Sequence, residues 1–287
     1  MDVFKLDVDS KYTYSITIDN IEEQIARRAP WFQSINGHDG WFAVCPSCNN
    51  PIQIIGMFQG DKLYGRHFVP QRDELKYYIK GTVDQEEREY CRYYNKRKPI
   101  DKTTKRPANN ELAKAIKTVL IEQFDRVIYL LSKTSGLQIS LNLAKKMLED
   151  YQNHEGWRYR GATLDNIPWA FAYMLSSQKL FGKKILDEGL ISELRLKAPM
   201  INIDNNGIVS NKTGYYLNLN FCFIHHKQEL IDNHLNESIQ LVILDNDVPI
   251  IRKTISCDHE YFNNLVKNDM QQNRQLHLVE LAKSLLL

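Results

Sequence analysis

The stretch WFAVCPSCNNPIQIIGMFQGDKLYGRHFVP, residues 41–70, is the one around which the rest of the chain is organised. Cys45 and Cys48 are separated by two residues, one of them Pro46, and that spacing folds as a tight turn aiming two thiolates at one point. Zinc takes four tetrahedral nitrogen or sulfur ligands, and a single Cys-x-x-Cys turn supplies two of them. After Cys48 the sequence reads as a turn followed by a strand over 52–58, with a second strand over 62–68 and a hairpin tip at Gln59, Gly60 and Asp61. Such a hairpin returns His67 toward the cysteines as a third ligand. A redox dithiol would instead be expected to open a helix. For the fourth position His38 is nearer in sequence and Cys91 is the better chemical match. We take Cys91, because a metal tie there would order a segment with little apolar core of its own. The expected ligand set is therefore Cys45, Cys48, His67 and Cys91, holding Zn²⁺.

Cys91 also opens the second notable stretch, CRYYNKRKPIDKTTKRP, residues 91–107. It holds Arg92, Lys96, Arg97, Lys98, Lys102, Lys105 and Arg106 against one acid, Asp101. Such a run is an electrostatic candidate for phosphate contact, and Tyr93 and Tyr94 add rings that can stack on bases. The alternative is a solvated linker bracketed by Pro99 and Pro107.

Composition limits the remaining choices. With 287 residues and an ordinary hydrophobic share of 43%, the chain can bury a core in two or three domains. The formal net charge of +2 neither requires nor excludes nucleic acid. There is no apolar run of the ~20 residues a membrane helix needs, and the first residues, MDVFKLDVDS, lack the basic start of a signal peptide. Five cysteines, an odd number, argue against a disulfide scaffold, so a cytoplasmic location and no membrane partner are expected.

Working along the chain, residues 11–19 alternate as a strand, and a helix capped by Asp19 or Asn20 runs until Pro30 stops it. A long apolar stripe from Leu112 to Leu131 predicts a helix ending near Ser132. Gly136 permits a turn, and Ser140 caps the next helix. This is the outline of a helix-turn-helix, but no DNA-facing set of side chains can be picked out, which favours a helical hairpin. A further helix resumes at Asn166 with Asp165 as its cap. From Ile191 onward the pattern reads as extended, with a turn at 205–207, a strand from Tyr215, a polar helix over 226–236, a hairpin at Asn246 and Asp247, and closing helices near 259–268 and 271–286. The expected fold class is α+β: a zinc-ribbon-like module with a basic arm over 1–107, a helical domain over 108–190, and an antiparallel sheet with helices over 191–287. Cys222, His225, His226, Cys257 and His259 gather in the last segment. Alternation makes Cys222 a buried small hydrophobe there rather than a second metal ligand.

Cys45, Pro46, Cys48, the following apolar strand, His67 and Phe68 resemble the N-terminal zinc-ribbon-like segment of the competence CoiA-like proteins over about residues 41–70. That family is regarded as nuclease-like, and the resemblance implies a setting in bacterial genome maintenance or phage (antiviral) defence. The family pattern continues His-Phe-x-His where this chain has Pro70, and ISELRLK separates Glu193 from Lys197 by three residues, too many for a Glu-x-Lys. A second comparison is with HNH endonucleases. There His67 would be a general base, Asn95 a positioning residue and Cys91 a zinc ligand, with Tyr94 where the last Cys belongs. One imidazole does not serve as both ligand and free base, so the two comparisons exclude each other. A third possibility is a zinc-stapled protein-interaction module whose partner meets the Tyr-rich surface between Tyr77 and Tyr94. The leading expectation is a zinc-binding protein that contacts DNA or another nucleic acid through its basic, Tyr-containing arm.

Overall fold

A computed structural model describes residues 1–35, 37–57, 63–68, 80–267 and 274–287. In chain order the elements are β1 (Val3–Phe4), β2 (Tyr14–Ser15), α1 (Ile18–Gln24), β3 (Phe32–Ile35), β4 (His38–Val44), β5 (Pro51–Ile55), β6 (Tyr64–His67), α2 (Gln85–Tyr90), α3 (Glu111–Glu122), α4 (Phe124–Ser135), α5 (Leu141–Asn153), α6 (Ile167–Tyr173), β7 (Gln178–Lys179), α7 (Glu188–Lys197), β8 (Ile201–Ile203), β9 (Val209–Asn211), β10 (Leu219–Ile231), β11 (His234–Asp245), β12 (Val248–Ser256), α8 (His259–Lys267) and α9 (Leu276–Leu286). Helices accompany antiparallel sheets, so the fold class is α+β, as the patterning predicts. The hairpin tip expected at Gln59, Gly60 and Asp61 lies outside the described residues, as do Tyr77 and the expected start of the last helix at 271. Among the described residues no helix is long and apolar enough to cross a membrane.

The chain forms two compact units. The first comprises Met1–Val119, Trp157–Asp165 and Gln228–Asn236, and the second comprises Leu120–Gly156, Asn166–Lys227 and Glu237–Leu287.

The first unit is built on a sheet ordered β3-β4-β5-β6. Its register sets Val44 opposite Pro51 and Ile52 opposite His67, so the turn after β4 and the end of β6 meet at one edge. Trp41, Ala43 and Cys45 alternate onto the same buried face, where Phe4, Ile21, Ile25, Ile52 and Ile54 complete the core. Lys5 and Val44 exchange backbone hydrogen bonds of 3.0 and 2.9 Å, fixing the start of the chain beside Cys45. The strand expected over 11–19 shrinks to Tyr14–Ser15. Thr17, rather than Asp19 or Asn20, caps α1 by accepting from the Asn20 N–H at 3.2 Å.

In the second unit the cap expected at Ser140 is present, accepting from the Leu143 N–H at 3.4 Å. Gly136 closes α4 at φ 77°, a left-handed conformation that favours glycine. The single long helix expected up to Ser132 is broken at Gln123 into α3 and α4. Two corrections follow from competition between periods. The extended pattern begins at β8 and not at Ile191: α7 runs to Lys197, capped by Asp187 at 2.9 Å from the Leu190 N–H, with Leu190, Ile191 and Leu194 buried at helical spacing. Leu196, whose alternation with Leu194 suggested a strand, is 78% exposed. The polar helix expected over 226–236, of which Gln228–Asn236 belongs to the first unit, is also absent. Those residues form the arms of a β10–β11 hairpin turning at Asp232 and Asn233, both with positive φ (47° and 66°). Asp and Asn tolerate that conformation, which a two-residue hairpin turn requires. Asn246 and Asp247 make the same turn between β11 and β12, as predicted.

Candidate metal centre

Three backbone devices bring four side chains together in the first unit. The chain leaves β4 at Cys45 and reverses at once. Cys45 N–H donates to Asn50 C=O at 2.9 Å, Asn49 N–H donates to Cys45 C=O at 3.0 Å, and Asn49 takes φ 59°. Asparagine is among the residues least strained there. The register of β6 against β5 then delivers His67. The third device returns residues 81–84 to the turn: Thr82 N–H donates to Asn49 C=O at 2.8 Å, and Asp84 N–H donates to Asn50 Oδ1 at 3.0 Å. Gly81 passes so closely that a Cβ would lie 2.8 Å from Pro51 N, at φ 114°. Asp84 caps α2 by accepting from the Glu87 N–H at 2.9 Å, and α2 ends on Cys91.

Cys45 Sγ lies 3.7 Å from Cys91 Sγ, and Cys48 Sγ lies 3.3 Å from His67 Nε2. All four ligand atoms fall within 4.8 Å of one another, and the three thiols are buried in the hydrophobic core. This Cys3His cluster can hold a metal ion. His38, the other candidate for the fourth place, is exposed at the far end of β4, opposite Ile35.

The thiols also form an ordered electrostatic group. Burial pushes the Cys45 thiol upward, but hydrogen bonds from Cys48, Cys91 and the Ser47 and Cys48 N–H groups outweigh it and hold Cys45 well below the ordinary thiol range. Burial and the Cys45 sulfur raise Cys48, and they push Cys91 well above that range. Burial opposes a charge on each of the three sulfurs. A divalent cation is what would let all three ionise together.

The basic segment divides into anchors and exposed cations. Arg106 is 1% exposed, and its guanidinium donates to Glu87 Oε2 at 3.3 Å and to the carbonyls of Tyr159, Arg160 and Ser47 at 2.6, 3.1 and 3.3 Å. It braces the turn between the two cysteines, which corrects its assignment as a phosphate contact. Arg160 completes the group with Glu87 Oε1 at 3.0 Å and Glu86 at 2.7 Å. Arg92 donates to Lys98 C=O at 2.6 Å and pins the loop on itself, while the Lys98 ammonium sits 4.8 Å over the Tyr90 ring. Lys102 and Lys105 are half-buried. Lys96 and Arg97 are exposed and have no carboxylate partner among the described residues. Asn95 is used within the loop, donating to Glu89 at 3.3 Å and accepting from the Arg97 N–H. The arm is thus ordered from Cys91 onward.

The chain matches no protein-family model, no curated protein and no solved structure.

The second unit contains a polar cluster that strand alternation conceals. Glu237 is fully buried, accepting from His226 Nε2 and Asn166 Nδ2 (2.6 Å) on one oxygen and from His259 Nε2 (2.7 Å) on the other. Burial raises this carboxyl, but the two imidazoles overcome it and hold it far below the usual carboxylate range. An ionised carboxylate only accepts, so both Nε2 atoms carry protons. His226 reaches this position because His225 takes φ 54° and breaks the alternation by which Leu219, Phe221 and Phe223 face inward. Cys222 and Cys257 are half-buried and outside any disulfide, and burial together with Glu237 pushes Cys257 strongly upward, the opposite of an activated nucleophile.

Proposed function

We propose that the chain is a zinc-stapled nucleic-acid-binding protein in which Cys45, Cys48, His67 and Cys91 hold Zn²⁺ and the loop after Cys91 presents cations to phosphate. The observation that carries the metal is the close approach of the four ligand atoms, all within 4.8 Å of one another, and the length of two edges of that tetrad. Tetrahedral zinc with bonds of about 2.3 Å to sulfur and about 2.0 Å to nitrogen requires S···S edges of about 3.8 Å and S···N edges of about 3.5 Å. The distances of 3.7 and 3.3 Å match both edges.

The nucleic-acid half of the proposal is supported by where Cys91 falls. The ligand that closes the site is also the first residue of the basic segment, so metal binding and presentation of Lys96, Arg97 and Lys98 are one event. The nuclease alternative needs a free imidazole at position 67, whereas the approach of His67 Nε2 to the Cys48 sulfur at 3.3 Å supports a ligand role for that ring. By its resemblance to CoiA-like proteins, the chain would act in bacterial genome maintenance or phage defence. Binding of a labelled oligonucleotide measured across a salt series tests the proposal. The affinity should fall steeply with salt and be lost when Lys96, Arg97 and Lys98 are all changed to Glu. Equal binding by that triple variant would overturn it.

A further inference from the structure

Resting on that reading, we infer that the metal-stapled face takes a single strand and not a duplex, with one unpaired base stacking on Tyr94 and the flanking phosphates meeting Arg88, Lys96 and Arg97. Tyr94 follows directly from the metal turn, its N–H donating to Cys91 C=O at 3.0 Å. Its ring stands edge-on to the imidazole of His67, with centroids 5.6 Å apart and planes at 78°. The Arg88 guanidinium lies 4.9 Å from the ring centre. An aromatic so placed is fixed by a metal ligand on one side and a cation on another, yet it is 48% exposed. The neighbouring Tyr90 cannot serve in the same way, because Lys98 and Arg160 lie 4.8 and 4.1 Å over its ring.

The charges around Tyr94 are sorted in the same sense. The acids of α2 are held locally: Glu86 and Glu87 by Arg160, Glu87 also by Arg106, and Glu89 by Asn95. Arg88, Lys96 and Arg97 have no carboxylate partner among the described residues, and Arg88 Nε is a buried donor with no acceptor. One cation over an exposed ring, with two more that lack a carboxylate two and three residues further along the chain, matches a base flanked by phosphates, the pattern by which proteins hold single strands. A duplex keeps its base faces inside the stack. Arg88 sits in the last turn of α2, a helix of only six residues, and Lys96 and Arg97 sit on the loop after it, so the cations lie on no helix long enough to fill a major groove.

The test uses the zinc-loaded full chain and fluorescence anisotropy with an oligothymidylate of about 20 nucleotides, the same backbone made abasic, a duplex of that length, and the corresponding ribo strand, which separates DNA from RNA. The based single strand should bind more tightly than the abasic strand and the duplex. Tyr94→Leu should weaken the based strand by roughly 5- to 100-fold while leaving the abasic strand unchanged, and Tyr94→Phe should restore it. Arg88→Gln should weaken all strands alike, a few-fold. Zinc content measured on each variant identifies any loss due to a damaged site, and the wild-type comparison of based with abasic strands stands without any variant. No binding of any strand would end the nucleic-acid reading and this inference together. Equal binding of based strand, abasic strand and duplex, or a based strand indifferent to Tyr94→Leu, would overturn this inference while leaving phosphate binding intact.

Discussion

Cys91 and Cys45 place their sulfur atoms 3.7 Å apart although 46 positions separate them in the chain. A metal held by both would fasten the end of α2 to the turn after β4 from within the core, beside the hydrogen bonds that Thr82, Asp84 and Arg106 make to that turn. A chelator should therefore act as a denaturant of this region. Thermal unfolding with and without EDTA should show the wild type losing stability, while Cys91→Ser starts lower and responds little to the chelator. A wild type indifferent to chelation would remove the staple from the account.

The Arg106–Glu87–Arg160 group supports the same turn by charge and hydrogen bonding. Truncating one partner of a buried ion pair leaves the other charge uncompensated and costs about 3–5 kcal/mol. Arg106→Ala should lose stability of that order in a denaturant titration. Lys96→Ala, at an exposed position, should stay within about 0.5 kcal/mol of wild type. Near-neutral behaviour of Arg106→Ala would contradict its reassignment from phosphate contact to anchor.

Glu237 gives a pH dependence with a definite sign. Its folded carboxyl titrates well below the ordinary carboxylate range, so the folded state binds fewer protons than the unfolded state in acid. The stability it contributes is fully present above the unfolded value of about 4.3 and is lost as pH falls from there toward the folded value. The acid limb of a stability-against-pH curve should flatten in Glu237→Gln relative to wild type. Parallel curves would mean that the carboxylate is not held by His226 and His259.

Gly207 makes a third structural test. It turns at φ 80° between β8 and β9, and a Cβ there would meet the Ile185 carbonyl oxygen at 2.3 Å. Gly207→Ala should destabilise by more than about 1 kcal/mol, since both the backbone conformation and the contact oppose it. An unchanged denaturation midpoint would contradict this geometry.

What the sequence reveals and what it hides follow from how local each signal is. The metal tetrad is legible because thiols, a Cys-x-x-Cys spacing and a hairpin-borne His are short-range features, and Cys91 is set apart by chemistry. Helix caps such as Ser140 and turn pairs such as Asn246 and Asp247 are local in the same way. The Glu237 cluster is not, because it needs the β10–β11 hairpin and the break at His225, and a polar run such as HHKQELIDNH carries helical and extended signals alike. Arg106 shows the remaining limit. A basic run records charge, whereas burial is decided by Glu87 and by backbone carbonyls 50 or more positions away.

The most direct test of the central claim is metal content per chain by native mass spectrometry after expression with zinc supplied. The account predicts one zinc per wild-type chain, its loss in Cys91→Ser and in His67→Ala, and its retention in His38→Ala. A wild type free of zinc, or zinc kept by Cys91→Ser and lost from His38→Ala, would contradict it.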